Sequence, residues 1–285
     1  MDSIDPESLT HEAAIIGQAA GKILLSYFER LKPGQVEPKS SHRDLLTVAD
    51  SEAEQYVIEA IRKRFPNHAI LGEEQGFIAG SDPYCWVIDP LDGTTNFVHG
   101  FPFYAVSIGV LERGEPVAGV IEAPSLGETF TVARGSGTRL NGRRCAVSAA
   151  KDLSRSVLAT GFSYNRNEVA RNNIDNHSRL VLDVHDIRRP GAASIDLAYV
   201  AAGRFDGFWE LYLKPWDVAA GALMVREAGG EASDFAGSAD STGWLWGENI
   251  VASNGRIHHE IRARLSGTEA GYAPRHAQLG SGLSK

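Results

Sequence analysis

Residues 86–97, Trp-Val-Ile-Asp-Pro-Leu-Asp-Gly-Thr-Thr-Asn-Phe, constrain this chain more than any other stretch. Three apolar residues run straight into Asp89, the pattern of a buried strand that delivers a carboxylate at its C-terminal end. Pro90 cannot continue a ladder and bends the chain, so Asp92 follows across a Pro-Leu step. Gly93 allows close approach of backbone to a ligand, and a helix starting there would leave the N–H groups of residues 93–95 as free donors. Two carboxylates beside free N–H groups suit a metal-bound phosphate. Read alone, the same stretch is also a polar turn, because Asp, Pro and Gly are all turn residues.

Other acids fall at element ends. Residues 69–71 form a short apolar run that stops at Gly72-Glu73-Glu74. Asp44, Thr47 and Asp50 precede a helical pattern carrying Val57, Ile58 and Ile61 that ends before Pro66; Asp50 reads as its N-cap. Asp217 reads as the N-cap of a helix over 217–228, with Gly229 as its C′ residue, and Glu210 closes the strand before it. Glu73, Asp89, Asp92 and Asp217 therefore form a candidate set for Mg²⁺, a hard cation that takes carboxylate and carbonyl oxygens. The nine His are scattered and do not show zinc spacing.

The net charge of −8 argues against general nucleic-acid binding, and an anionic substrate then needs a local device such as metal ions. Cys85 and Cys145 show neither a disulfide framework nor a CxxC site. The acidic, polar first residues and the lack of a long apolar span predict no membrane segment and a cytoplasmic protein.

Along the chain, helical spacing covers 9–29 and period-two patterning covers 104–112, 117–123, 128–134 and 144–148, with Asn141-Gly142 as a hairpin signal. After residue 149 strands and helices alternate: strands at 157–160, 184–187, 205–211 and 249–252, and helices at 166–182, 192–202, 217–228 and 257–265. This predicts an α+β N-terminal part over 1–150, an α/β part over 151–266 and a disordered tail over 267–285.

Residues 86–97 followed by Pro102, together with Trp216-Asp217-Val218-Ala219-Ala220-Gly221 and Glu227-Ala228-Gly229-Gly230, resemble the two signature motifs of the inositol monophosphatase family. Gly72-Glu73-Glu74 is similar to its third acidic element, and Lys39, Asp44, Thr47 and Asp50 to its N-terminal pattern; the likeness spans about residues 10–265. Residues 188–193 and 198–207 resemble the bacterial inositol-1-monophosphatase branch. The resemblance implies a layered αβαβα sandwich, a homodimer, Li⁺ sensitivity, and Mg²⁺-dependent hydrolysis of a small phosphorylated metabolite with two or three ions. It implies that Glu73, Asp89 and the Leu91 carbonyl hold one ion. Asp89, Asp92 and Asp217 would hold a second, and Glu73 would help with a third. It assigns Thr94, with Asp44 behind it, to the attacking water, and the N–H groups of Gly93 and Thr94 to phosphate. It assigns Asp92, Ala193, Glu210 and Asp217 to substrate hydroxyls. Ala192 departs from the Thr or Ser of many members, which leaves backbone contacts but no hydroxyl there.

Overall fold

The computed structural model describes residues 4–39 and 43–266, so the tail expected over 267–285 lies outside the described residues. Two mixed sheets carry the fold. The larger has eight strands, in the spatial order Arg143–Arg144, Gly137–Leu140, Glu128–Ala133, Glu115–Ala123, Ala105–Glu112, Tyr84–Asp92, Ala69–Gly72 and Gly76–Ile78. The smaller has five: Asp186–Arg188, Val157–Thr160, Gly207–Leu211, Asn249–Ser253 and Glu231–Ser233. A short antiparallel pair, Val36–Pro38 with Leu45–Thr47, forms a separate arm.

Helices fill three layers around the sheets, giving an αβαβα sandwich. Pro6–Tyr27 and Val48–Arg64 cover the outer face of the large sheet. Ala193–Ala201 and Pro215–Glu227 lie between the two sheets, and Ile174–Leu180 and His258–Ser266 cover the far face of the small one. Strand Tyr84–Asp92 shows how the layers are specified. Trp86 and Ile88 join the core under the outer helices, whereas Val87 joins the middle layer with Val218, Ala219 and Ile250. A strand apolar on both faces is what burial between two helix layers requires. Leu9, Ile16 and Leu24 are fully buried along the first helix, each worth about 1.5–3 kcal/mol of transfer free energy.

The middle layer is close-packed by small residues. A Cβ on Gly109 would lie 2.8 Å from Ala219 Cβ, one on Gly119 2.9 Å from Ala220 Cβ, and one on Gly221 2.5 Å from Leu197 Cβ. Helix Pro215–Glu227 thus sits directly on the large sheet and on its neighbouring helix. At its end Gly229 takes φ 92°, and Gly229 and Gly230 donate to Arg226 O and Val225 O, the double-bonded stop expected of a C′ glycine. Glu227 adds a tie to the sheet, accepting from Gly135 N at 2.9 Å and Gly137 N at 3.1 Å.

Several expectations need correction. The N-cap of Val48–Arg64 is Thr47, and Asp50 sits at N3, accepting from Thr47 N at 2.9 Å and Thr47 Oγ1 at 2.6 Å. Likewise the N-cap of Pro215–Glu227 is Lys214, and Asp217 at N3 accepts from Lys214 N at 2.6 Å. Asp50 is the reciprocal member of a capping box with Thr47, whereas Asp217 supplies only the acid's half, because the Lys214 side chain has no acceptor to return the bond. The helix expected over 166–182 is only Ile174–Leu180; Asn173 before it has φ 71° and is buried, its amide donating to Thr160 Oγ1 and Gly161 O. The strand expected over 144–148 is Arg143–Arg144, paired with Gly137–Leu140 across the Asn141-Gly142 turn. Both turn residues have positive φ, as a two-residue hairpin demands.

Candidate active site

The acids meet because of one irregularity. Asp89 pairs with Ser107, and Asp92 with Ala105, so three steps on one strand oppose two on its neighbour. In a regular strand residues three apart point to opposite faces. The bulge at Pro90-Leu91 adds one residue and returns Asp92 to the face of Asp89, the face that meets the middle helices. Glu73 arrives beside them because Ala69–Gly72 runs parallel to Tyr84–Asp92, and Glu73 N donates to Ile88 O at 3.1 Å. Asp217 arrives from the helix layer. Ser107 Oγ, opposite Asp89, donates to Trp216 O at 2.9 Å and so pins the first turn of that helix to the strand.

These groups floor a cleft of about 930 Å³, lined among others by Glu73, Asp89, Asp92, Thr94, Glu210 and Asp217. Asp44, Leu91, Gly93 and Ala193 line it as well. The structure therefore brings together every site residue expected from the sequence. Helix Thr94–Val98 opens at the cleft, with Gly93 at φ 90°, and Asn96 holds it to the middle layer by donating to Phe103 O and Pro190 O. Its first-turn N–H groups have no intrahelical acceptor.

Electrostatics set the chemistry. Asp89 is 2 % exposed, and burial lifts its carboxyl well above the usual range, with Glu73, Asp92 and Asp217 adding repulsion. Asp217 is lifted by burial and by Asp92, and shares a side-chain hydrogen bond with Asp89. Asp92 is pushed up to about 6, burial outweighing hydrogen bonds from Ser194 N and Oγ at 2.7 and 2.5 Å. Glu210 is pushed up to about 8 by burial and by Asp217. Lys39 donates to Glu73 at 2.9 Å and also to Glu74; although burial opposes its charge, the two carboxylates hold its ammonium above the ordinary range.

Thr94 Oγ1 lies 3.0 Å from Leu91 O and 3.4 Å from Asp50 Oδ1. Asp50 is thus a carboxylate behind Thr94 that the sequence reading did not place there; Asp44, expected in that role, lines the cleft. Asp50 is fully buried and pushed up to about 6 by burial, against its hydrogen bonds from Thr47. Sequence reading missed this role because Asp50 was absorbed as a cap; both acids lie in the Asp-x-x-Thr-x-x-Asp pattern, and only the fold separates them. It also missed Ser194, which orients Asp92, and Asp196, a carboxyl 1 % exposed behind the cleft and lifted by burial and by Glu210.

Among the described residues no three His, Cys, Asp or Glu side chains stand close enough together, as arranged here, to hold a metal ion between them. The donor set nonetheless fits Mg²⁺. It is all oxygen, and burial, with repulsion among the acids adding to it, disfavours bare charge on Asp89 and Asp217, which protons or a cation would relieve. Mg²⁺ keeps several waters and needs only one or two carboxylates.

Fold and cleft together define an α/β sandwich whose buried acids stand against a helix start, an arrangement suited to a hard cation and a phosphate ester. The chain belongs to the inositol monophosphatase family, whose model matches residues 5–269. It is 49 % identical over 244 residues to the Nus factor SuhB of Pseudomonas aeruginosa, covering 83 % of this chain and 88 % of that one. It is 44 % identical over 253 residues to the inositol-1-monophosphatase of Synechocystis, covering 88 % and 86 %. Among solved structures, the inositol monophosphatase of Anabaena superposes with a TM-score of 0.83 at 38 % identity, covering 95 % of this chain and 98 % of that one. Family membership carries metal dependence as a family property.

Proposed function

We propose that this chain is a Mg²⁺-dependent phosphomonoesterase that hydrolyses inositol monophosphate to inositol and phosphate. The observation that carries the reading is the convergence of Glu73, Asp89, Asp92 and Asp217, from separate elements, on one cleft beside a helix start. Glu73, Asp89, Asp92, Asp217 and the Leu91 carbonyl would hold two or three ions. When bound, the metal supplies positive charge against the phosphoryl oxygens and acidifies water.

The chain's own groups do the rest. Thr94 Oγ1 orients the attacking water, and Asp50, 3.4 Å from that hydroxyl, receives its proton. A buried carboxyl pushed up to about 6 is matched to proton transfer near neutral pH. The N–H groups of Gly93 and Thr94 hold the phosphate through their free donors. Glu210, Asp92 and Asp217 receive hydroxyls of the polyol, and Ala193 contributes backbone contact. Nothing in this scheme calls for a covalent phosphoenzyme. The family resemblance supports a homodimer, which sedimentation would test.

The test is phosphate release from inositol 1-phosphate with and without Mg²⁺. Metal-dependent turnover is expected, and its absence sinks the proposal. If the chemistry holds but inositol 1-phosphate is poor, ranking histidinol phosphate, fructose 1,6-bisphosphate and a 3′-phosphoadenosine nucleotide by kcat/KM identifies the substrate. A second reading, a regulatory protein that keeps the fold, is favoured by the name Nus factor on the Pseudomonas relative. An Asp217→Asn variant that loses turnover yet keeps the cellular role would establish it.

A further inference from the structure

The floor of the cleft is acidic, and the chain carries a net charge of −8. Its rim is the reverse. Arg43 stands before strand Leu45–Thr47 on the arm, Arg166 lies in the turns after strand Val157–Thr160, and Arg189 lies between strand Asp186–Arg188 and helix Ala193–Ala201. All three line the same cleft. Their sequence separation means that the fold, rather than a local basic run, gathers them.

Arg43 and Arg166 are each tied into the turns that carry Arg166. Arg43 Nη1 reaches Asn167 Oδ1 at 2.7 Å, beside Arg166, and Arg166 Nη1 donates to Ser163 O at 3.2 Å. Burial lowers the Arg166 guanidinium below its ordinary value, and Arg43 and Arg189 lower it further. No carboxylate is among the groups acting on it; only the Tyr164 hydroxyl opposes the shift. Arg43 and Arg189 are thus close enough to act on Arg166 at the cleft mouth, and Arg189 also acts on Glu210 in the floor and Asp196 behind it, so the three guanidiniums stand where an anion entering the cleft would meet them. The turns carrying Arg166 are tied to the phosphate end of the cleft, since Tyr164 shares a side-chain hydrogen bond with Thr95 in the first turn of helix Thr94–Val98. At about 930 Å³ the cleft lies near the top of the range of about 300–1,000 Å³ for small-molecule sites, with room beyond one phosphorylated ring.

We propose that Arg43, Arg166 and Arg189 form a second anion subsite at the cleft mouth, which selects phosphate esters carrying a second phosphate away from the one hydrolysed. This deepens the phosphomonoesterase reading and rests on it for turnover, though not for binding. Arginine suits the role because its planar fork can hold a phosphate through paired N–H groups while staying charged. The simpler account is steering: any basic rim on an acidic protein speeds the arrival of anions. Steering acts on all anions alike and fades with salt, whereas a subsite discriminates between ligands and keeps doing so at high ionic strength.

A matched pair decides between them. Inositol 1-phosphate and inositol 1,4-bisphosphate are compared with Mg²⁺ present, at low salt and at 0.3 M KCl, by phosphate release and by titration calorimetry. The subsite predicts a KM at least about tenfold lower for the bisphosphate, at both salt concentrations. Arg166→Gln and Arg43→Gln should each erase most of that preference while moving the monophosphate by less than about twofold. Equal affinity of the wild-type protein for both ligands overturns the proposal, as does an equal loss on both in the variants. A short single-stranded oligonucleotide that competes only with intact arginines, with no bisphosphate preference, assigns the rim to nucleic acid and overturns it too. Failure of the phosphatase reading looks different: neither ester is turned over, and the calorimetric preference still decides the subsite.

Discussion

Gly161 has no room for a side chain, and the group that takes the room is Glu210. An ideal Cβ on Gly161 would lie 2.2 Å from Glu210 Oε2, 2.3 Å from Oε1 and 2.4 Å from Cδ. Gly161→Ala therefore forces the carboxyl back by about 1 Å to reach ordinary van der Waals separation. Glu210 is 8 % exposed, so it cannot simply swing into solvent. If Glu210 receives a substrate hydroxyl, a displacement of that size should cost roughly 10- to 100-fold in kcat/KM, about 1.4–2.7 kcal/mol. Overpacking should separately cost about 1–3 kcal/mol of stability. Steady-state kinetics on inositol 1-phosphate and a thermal melt separate the two effects. Shortening the acid by one methylene, as in Gly161→Ala with Glu210→Asp, should return part of the stability without restoring full activity. A melt that falls while kcat/KM holds would falsify the contact between Glu210 and substrate.

Asp50→Asn keeps an acceptor for Thr47 N but removes the proton acceptor behind Thr94, so kcat should fall about 10²- to 10⁴-fold with a melt close to wild type. Asp44→Asn is the control, and a larger loss there than at Asp50 would return the role to Asp44. His258 supplies a pH prediction remote from the cleft. It is 1 % exposed, between Ser233 Oγ at 2.8 Å and Ser253 Oγ at 3.0 Å, with Glu231 3.5 Å from Nε2. Burial pushes it down to about 4, with Arg262 adding to the shift; the half-exposed Glu231 does not offset them. The unfolded chain binds that proton near pH 6.5 and the native chain only near 4, so stability is present above the unfolded value and falls as pH drops between them. Between pH 7 and pH 5 the loss is roughly 2 kcal/mol. Urea midpoints for wild type and His258→Gln should diverge in slope over that interval, and parallel slopes would remove His258 as the cause.

The element pattern was largely legible where one physical signal dominated. Residues 86–88 had to be a strand buried on both faces, and Asn141-Gly142 had to be a two-residue turn. The shortfalls share a cause, which is tertiary contact overriding local preference. A polar stretch over 166–182 reads as a helix by length, yet buried Asn173 spends its amide on Thr160, Gly161 and Trp209 Nε1, and only the segment after it is helical. Asp50 and Asp217 read as caps because an acid at a helix start favours that place; the true cap positions, Thr47 and Lys214, leave each acid three residues further in, Asp217 lining the cleft and Asp50 buried behind Thr94. The motif named the acids, but the bulge that puts Asp89 and Asp92 on one face is invisible without the partner strand.

Gly109, Gly119 and Gly221 touch no part of the cleft, yet they set how deep helix Pro215–Glu227 lies, and with it how far Asp217 stands from Asp89. A single methyl at any of them would lift the helix as a lever lifts its tip, and the carboxylate at the tip would travel with it. Such positions would resist change during divergence as stubbornly as the acids themselves, for a reason of thickness rather than reactivity. In a comparison of many sequences they would be mistaken for parts of the active site.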